Sequence, residues 1–327
     1  MAHQIELVDG KHRFAYTGHP GWHGLGTKAP DNVTPSELGD LAQINWTVSK
    51  RTLKTTITKT GEDLIIGDKF ALTRDDDDTV LDIVGKDWTP NQNSEVFKLF
   101  DRFYDTGLVA METAGSLRNG RMIFMLAKMK DGFDVIGGKD PHAKYILFSN
   151  PHESGHAVTV TFVATRVVCN NTLQIALSEN AKNEARFRHV SKEPFTVERA
   201  VTMLGVIPNL VAAYKAKCET LASKKLPADG FIKLVKSVYG LKEGKDVPEA
   251  QKSSNERIIE RLKTCFVEQP GVNIGEGTWY QAYHAITFDN DHVIGRSSET
   301  RFNSAQYGAG KNRKQQALDL AFKLATV

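Results

Sequence analysis

The chain has 327 residues, of which 40% are hydrophobic and 25% charged, with a net charge of +3. This length and balance suit one elaborated core or two smaller domains. They exclude a disordered chain, whose low hydrophobicity cannot offset the entropy of folding.

Taken in chain order, residues 1–30 are rich in Gly, His and aromatic side chains, lack helix or strand periodicity, and read as an arm. Thr34-Pro35-Ser36-Glu37 starts a short helix to about residue 43: Thr34 is the cap, Pro35 takes the first position, and Glu37 completes a capping box. The Thr-, Val- and Ile-rich stretch 45–74 predicts strands joined at Thr60-Gly61-Glu62-Asp63 and Gly67-Asp68, and 80–84 adds another. Residues 93–104 place Val96, Phe97, Leu99, Phe100 and Phe103 on one helical face, with Gly107 beyond the end. Strands at 109–116 and 121–129 flank Asn119-Gly120, a hairpin signal because both residues tolerate positive φ. Strands at 145–149 and 158–168 follow, the latter expected in the middle of the sheet. Helices are predicted over 173–185, 196–222, 230–239, 255–265 and 311–325. Arg166, Asn170, Asn171 and Thr172 are then expected at a strand-to-helix junction, with Asn and Thr oxygens capping the helix. The fold class is α+β, a curved antiparallel sheet backed by helices. Its divisions are an arm at 1–30, a sheet core at 31–190, a helical region at 191–270 and a mixed strand and helix segment at 271–327.

Apolar runs such as 158–163 fall far short of the roughly 20 residues that span a bilayer. The N-terminal MAHQIELVDGKHR is charged where a secretory signal is apolar. No membrane association and a cytoplasmic location are therefore expected. Cys169, Cys218 and Cys265 are far apart and odd in number, which predicts buried, reduced thiols. Neither Gly24-Leu25-Gly26 nor Gly308-Ala309-Gly310-Lys311 has phosphate-loop spacing. The pairs His19/His23 and His152/His156 lack the Glu of a metalloprotease helix and sit among Pro and Gly. Asp75–Asp78 reads as an acidic loop. No catalytic residues, cofactor or metal are expected, and chelation should leave the melting temperature unchanged.

Basic residues outnumber acidic ones by thirteen to six over 182–245 and by five to one over 300–327. Such segregation fits a polyanion partner and equally a solvated Lys-rich surface. Single-strand binders combine phosphate-tracking cations with aromatic platforms. Trp46, Lys50, Arg51, Lys54 and Lys59 lie in a stretch without acidic residues, Arg118, Arg121 and Lys128 lie on the Asn-Gly hairpin, and Tyr307, Lys311, Arg313 and Lys314 lie near the C-terminus. Together with Arg166, these are the candidate nucleic-acid contacts.

Several segments resemble one family: Trp22-His23-Gly24-Leu25-Gly26, Asn91-Gln92-Asn93, Gly115 with Gly120-Arg121, the string Thr165-Arg166-Val167-Val168-Cys169-Asn170-Asn171-Thr172-Leu173, and Arg188-His189. They are similar to the phage- and plasmid-like proteins grouped as domain of unknown function 932, from about Trp22 to the C-terminal helix. One departure is the loop Asn150-Pro151-His152-Glu153-Ser154-Gly155-His156, where that family often carries Asn-Ser-His-Asp-Gly-Ser. The resemblance implies a mobile-element origin, and in that case a host-cell cytoplasm. By analogy with phage annealing proteins, the expectation is a non-catalytic, oligomeric single-stranded DNA-binding protein. The alternative is a phage structural or host-interaction protein acting through a protein partner.

Overall fold

The computed structural model describes residues 5–18, 24–166, 171–174, 185–190, 195–205, 207–242, 244, 246–297, 300–301, 304–305 and 308–327. The chain starts with a small hairpin, β1 (Leu7–Val8) and β2 (Lys11–His12), followed by β3 (Phe14–Tyr16) and β4 (Thr27–Lys28). Helix α1 (Pro35–Leu41) begins as the capping box dictates. The Glu37 amide donates to Thr34 Oγ1 at 3.3 Å, and the Thr34 amide donates to the Glu37 carboxylate at 2.9 Å. Gly39 lets α1 lie on the ring of Phe97, which a Cβ there would meet at 2.6 Å.

Strands β5 (Val48–Thr56), β6 (Asp63–Arg74) and β7 (Val80–Gly85) form a three-stranded antiparallel sheet. Helix α2 (Asn93–Tyr104) buries Val96, Phe97, Leu99 and Phe100, as its apolar spacing predicts. Strands β8 (Val109–Leu117) and β9 (Met122–Met129) form the expected hairpin, with Arg118, Asn119 and Gly120 at φ 55°, 56° and 85°. Next come β10 (Phe133–Val135), β11 (Asp140–Pro151), β12 (Val158–Arg166), β13 (Asn171–Gln174) and β14 (Ala185–Phe187).

The main sheet runs β13-β12-β11-β9-β8-β3-β4, with β10 beside β11 and β14 beside β12. Its described pairings are antiparallel except β3 with β4. Strand β12 is paired along both sides, as its apolar run implies. The helix expected over 173–185 is corrected at its described ends: Asn171–Gln174 pairs back on β12, Leu173 opposite Ala164, and Ala185–Phe187 pairs further along it, while 175–184 lie outside the described residues. Leu173 between Thr172 and Gln174 fits the period of two in a strand. Asn171 and Thr172 thus belong to a strand, not a helix cap, while Asn170 lies outside the described residues.

The helices that follow are α3 (Val197–Leu204), α4 (Ile207–Ser223), α5 (Gly230–Tyr239), α6 (Glu249–Glu268) and α7 (Trp279–Phe288). A π-helical turn (Asp289–Val293) and α8 (Ala309–Thr326) complete the chain. One apolar cluster from Ala15 to Ala321 joins the helices to the inner face of the main sheet, with Phe100, Phe148, Phe162 and Tyr280 fully buried. Each large apolar side chain so enclosed contributes about 1.5–3 kcal/mol. A smaller cluster, with Phe14, Leu117, Met122, Phe124, Leu147 and Val163, lies on the outer face. Among the described residues, no helix is long and apolar enough to cross a membrane.

Candidate nucleic-acid interface

Alternation along β3, β9, β11 and β12 decides what the outer face carries. Tyr16 stands opposite Thr113, Lys128 opposite Tyr145, and Tyr145 opposite Val163, so these side chains share one surface. Tyr16, Leu126 and Tyr145 are half-buried there, and Lys128 is exposed. Burial, aided by the charge of Glu112, pushes the Tyr145 phenol up to about 12, so it stays neutral. Burial also raises the Glu112 carboxyl above its ordinary value, against the pull of Lys128.

At one end of this face the sheet meets the start of α8 across a groove of about 610 Å³. Arg118, His156, Arg186 and Lys311 line it together with Thr159 and Asn312, and no acidic side chain does so among the described residues. Arg118 is held by Glu153 at 2.6 Å, which leaves it 29% exposed at the rim. Arg186 stands opposite Thr159 and is exposed. The first turn of α8, Ala309 to Asn312, lines the same groove, so the positive end of its dipole adds to these charges. Arg186 lies just past the helix expected over 173–185, and only its pairing opposite Thr159 brings it to the groove; the rings of Tyr16 and Tyr145 surface only once the strand register is known.

The other predicted contacts are dispersed. Trp46 is a correction: at 5% exposure it faces inward between Ile44 and Val48, with the Arg74 guanidinium 4.7 Å above its ring and His152 at 5.1 Å. It cannot stack on a base. Lys314 is another correction, since it is buried and its Nζ is 2.6 Å from Asp291. Lys50 donates to the carbonyls of Lys86 and Trp88 at 2.6 and 3.0 Å, and Arg51 pairs with Asp75 and Asp78. Lys54 meets Asp63 at 3.4 Å, and Arg313 lies over Tyr239 at 5.1 Å. Lys59 and Arg121 are exposed on turns and do not line the groove, although Arg121 precedes the lining residue Met122. Arg166 ends β12, its side chain outside the described residues, as is Tyr307.

The acidic run is a set of arginine partners. Arg74, almost fully enclosed, pairs with Glu6, with Asp76 at 2.8 Å and with Asp77 at 3.3 Å, while Arg13 reaches Asp76 at 3.1 Å. Burial alone lowers the Arg74 pKa, but the hydrogen bond to Asp76 and the charge of Glu6 outweigh it and hold the pKa raised. Beside it, His152 is buried and Asn93 Oδ1 lies 2.8 Å from its Nε2. Asn93 Nδ2 donates to the Trp46 carbonyl, which fixes Oδ1 as the acceptor and Nε2–H as the donor. Burial, with lesser contributions from His189 and Arg74, lowers His152 to about 3. His156 is 52% exposed near Glu153, so the pair His152/His156 does not converge on one ligand, and His19 and His23 lie outside the described residues. Cys218 and Cys265 are buried thiols, the latter pushed up to about 11 by burial and Asp289, while Cys169 lies outside the described residues. Away from the groove, Asp140, His142 and His284 bring their ligand atoms within 4.8 Å of one another.

No curated protein and no solved structure matches this chain. A family model matches residues 80–318, and on that extent the chain belongs to the family described as Domain of unknown function (DUF932).

Proposed function

We propose that the protein binds single-stranded nucleic acid, DNA in the first instance, across the outer face of its main sheet, as a non-catalytic and oligomeric factor from a mobile element. The observation that supports this reading is the groove: Arg118, Arg186 and Lys311 beside the α8 N-terminus, without an acidic lining residue among those described, and continuous with a sheet face bearing Tyr16 and Tyr145. Spaced cations suit a phosphate chain, and half-buried tyrosines give rigid platforms that accept any base. Lys50, Arg51 and Lys54 of β5 each have a carbonyl or carboxylate partner within the chain, so the interface is assigned to the groove and the sheet face beside it. The test is an anisotropy titration against single- and double-stranded DNA at two salt concentrations, with wild type and the triple variant Lys128→Ala, Arg186→Ala, Lys311→Ala. Wild type should bind single strands at low salt with a steep salt dependence. The variant should bind more weakly on all sequences, with a shallower slope. Wild type without affinity at low salt, or an unimpaired variant, refutes the reading.

A second reading, contact with a protein partner or another copy, is favoured by the β5–β6 ribbon. Beyond the end of β7 it carries Leu64 at 52% and Ile65 at 59% exposure. Apolar side chains on a projecting ribbon suit burial against another chain. Light scattering of Leu64→Lys, Ile65→Lys separates assembly from nucleic-acid binding.

A further inference from the structure

We infer that Asp140, His142 and His284 form a binding site for a divalent transition-metal ion of the zinc class, which ties β11 to α7. All three are buried, at 0%, 2% and 2% exposure, and their ligand atoms lie within 4.8 Å of one another. Asp140 and His142 are two apart on one strand and so share a face, and His284 is brought to them by α7. Two imidazoles and one carboxylate are a borderline donor set, which favours zinc and its neighbours over calcium or magnesium.

The surroundings prepare the ligands. His142 Nδ1 lies 3.0 Å from the Asp140 carbonyl, an acceptor only, so Nδ1 carries the proton and the lone pair sits on Nε2. Thr287 Oγ1 donates to the His284 carbonyl at 2.9 Å and lies 3.4 Å from His284 Nδ1. It can therefore only accept from that nitrogen, which again places the lone pair on Nε2. The Tyr280 hydroxyl donates to Asp140 Oδ2 and orients the carboxylate. Such outer contacts fix tautomer and direction in metal sites. Phe133 stacks on His142 at 4.9 Å, and Tyr280 lies edge-on to His284 at 4.3 Å, making a dry wall around the set. Donors about 2.1 Å from zinc stand roughly 3.4 Å apart in a tetrahedron. Binding therefore draws the three atoms closer by small side-chain rotations, with a water or Tyr280 completing the shell. Sequence spacing shows no such site because its ligands come from distant segments.

The test uses the full chain, stripped with chelator and dialysed against zinc, with metal content read by mass spectrometry and cobalt(II) uptake read by visible absorption. Wild type should take up about one ion per chain, show ligand-field bands of a low-symmetry cobalt site, and melt lower after stripping, with zinc restoring the melting temperature. Asp140→Asn keeps an acceptor for Tyr280 and so keeps the fold, but it and His284→Gln should lose the ion and the bands. A stripped wild type that takes up no metal overturns the inference. So does uptake of the same stoichiometry and spectrum by Asp140→Asn, which would put the ion elsewhere.

Discussion

Acidification tests the buried polar layer behind the β8–β9 hairpin. His152 is fully enclosed and lowered to about 3. His189, 5% exposed and stacked on Trp88 at 4.3 Å, is lowered to about 4 by burial, against the hydrogen bonds it makes to the Thr89 and Pro151 backbone. Unfolded imidazoles titrate near 6.5, so both native pKa values are depressed. Their contribution is then full above about pH 6.5 and falls as the pH drops toward 4 and 3. At pH 5 the unfolded chain holds both protons and the native chain almost none. The loss is about 2 kcal/mol per histidine and about 4 kcal/mol for the pair, relative to pH 7.5. Urea unfolding followed by circular dichroism at pH 7.5, 6 and 5 reads this directly. His152→Gln keeps an N–H for Asn93 Oδ1 and removes the titration, so it should show about half the wild-type loss. Carboxylates such as Asp75, Asp76 and Asp82, held below their ordinary values, lose their contribution only at lower pH, and they cancel between the two proteins. Equal losses in both would refute the burial argument.

Two further perturbations probe the charged layer and the proposed interface. Arg74→Met should cost about 3 kcal/mol in denaturant unfolding, because it leaves the enclosed Glu6 and the partly enclosed Asp76 with Arg13 as their remaining counter-ion; adding Glu6→Gln should recover part of the loss. Glu112→Gln removes a carboxyl whose raised native pKa marks an ionised form that costs stability at neutral pH. The variant should be more stable than wild type at pH 7 and not at pH 4, and it should bind single strands more tightly because it lacks a negative charge beside Lys128 and Tyr145.

What could be read from the sequence was local. The box at Thr34 and Glu37, the Asn119-Gly120 turn and the apolar face of α2 each lie within a few neighbouring residues, and each formed where expected. The short strand Asn171–Gln174 did not announce itself, because four residues hold too little periodicity and its pairing with β12 decides its state. Trp46 carried a signal that composition obscured: Ile44, Trp46 and Val48 alternate with polar Asn45 and Thr47, which points the ring inward. Lys314 looked like surface charge, and only the return of the π-helical turn brings Asp291 against it. The groove is least legible of all, since β9, β11, β12, β14 and α8 each supply part of it.

The placement of β3 bears on how this protein can be dissected. The family match begins at residue 80, yet β3 is hydrogen-bonded along Thr113–Gly115 of β8, and Phe14 covers Gly115, where a Cβ would meet its ring at 2.8 Å. Glu6 and Arg13 extend the pairing to Ser116. A fragment cut at the start of the match would turn β8 into a naked edge strand, with open amides and carbonyls beside exposed Phe124 and Leu117. Such edges recruit strands from other molecules. The segment upstream of the match therefore serves as a built-in edge guard, and a minimal fragment that keeps β8 covered begins no later than Ile5.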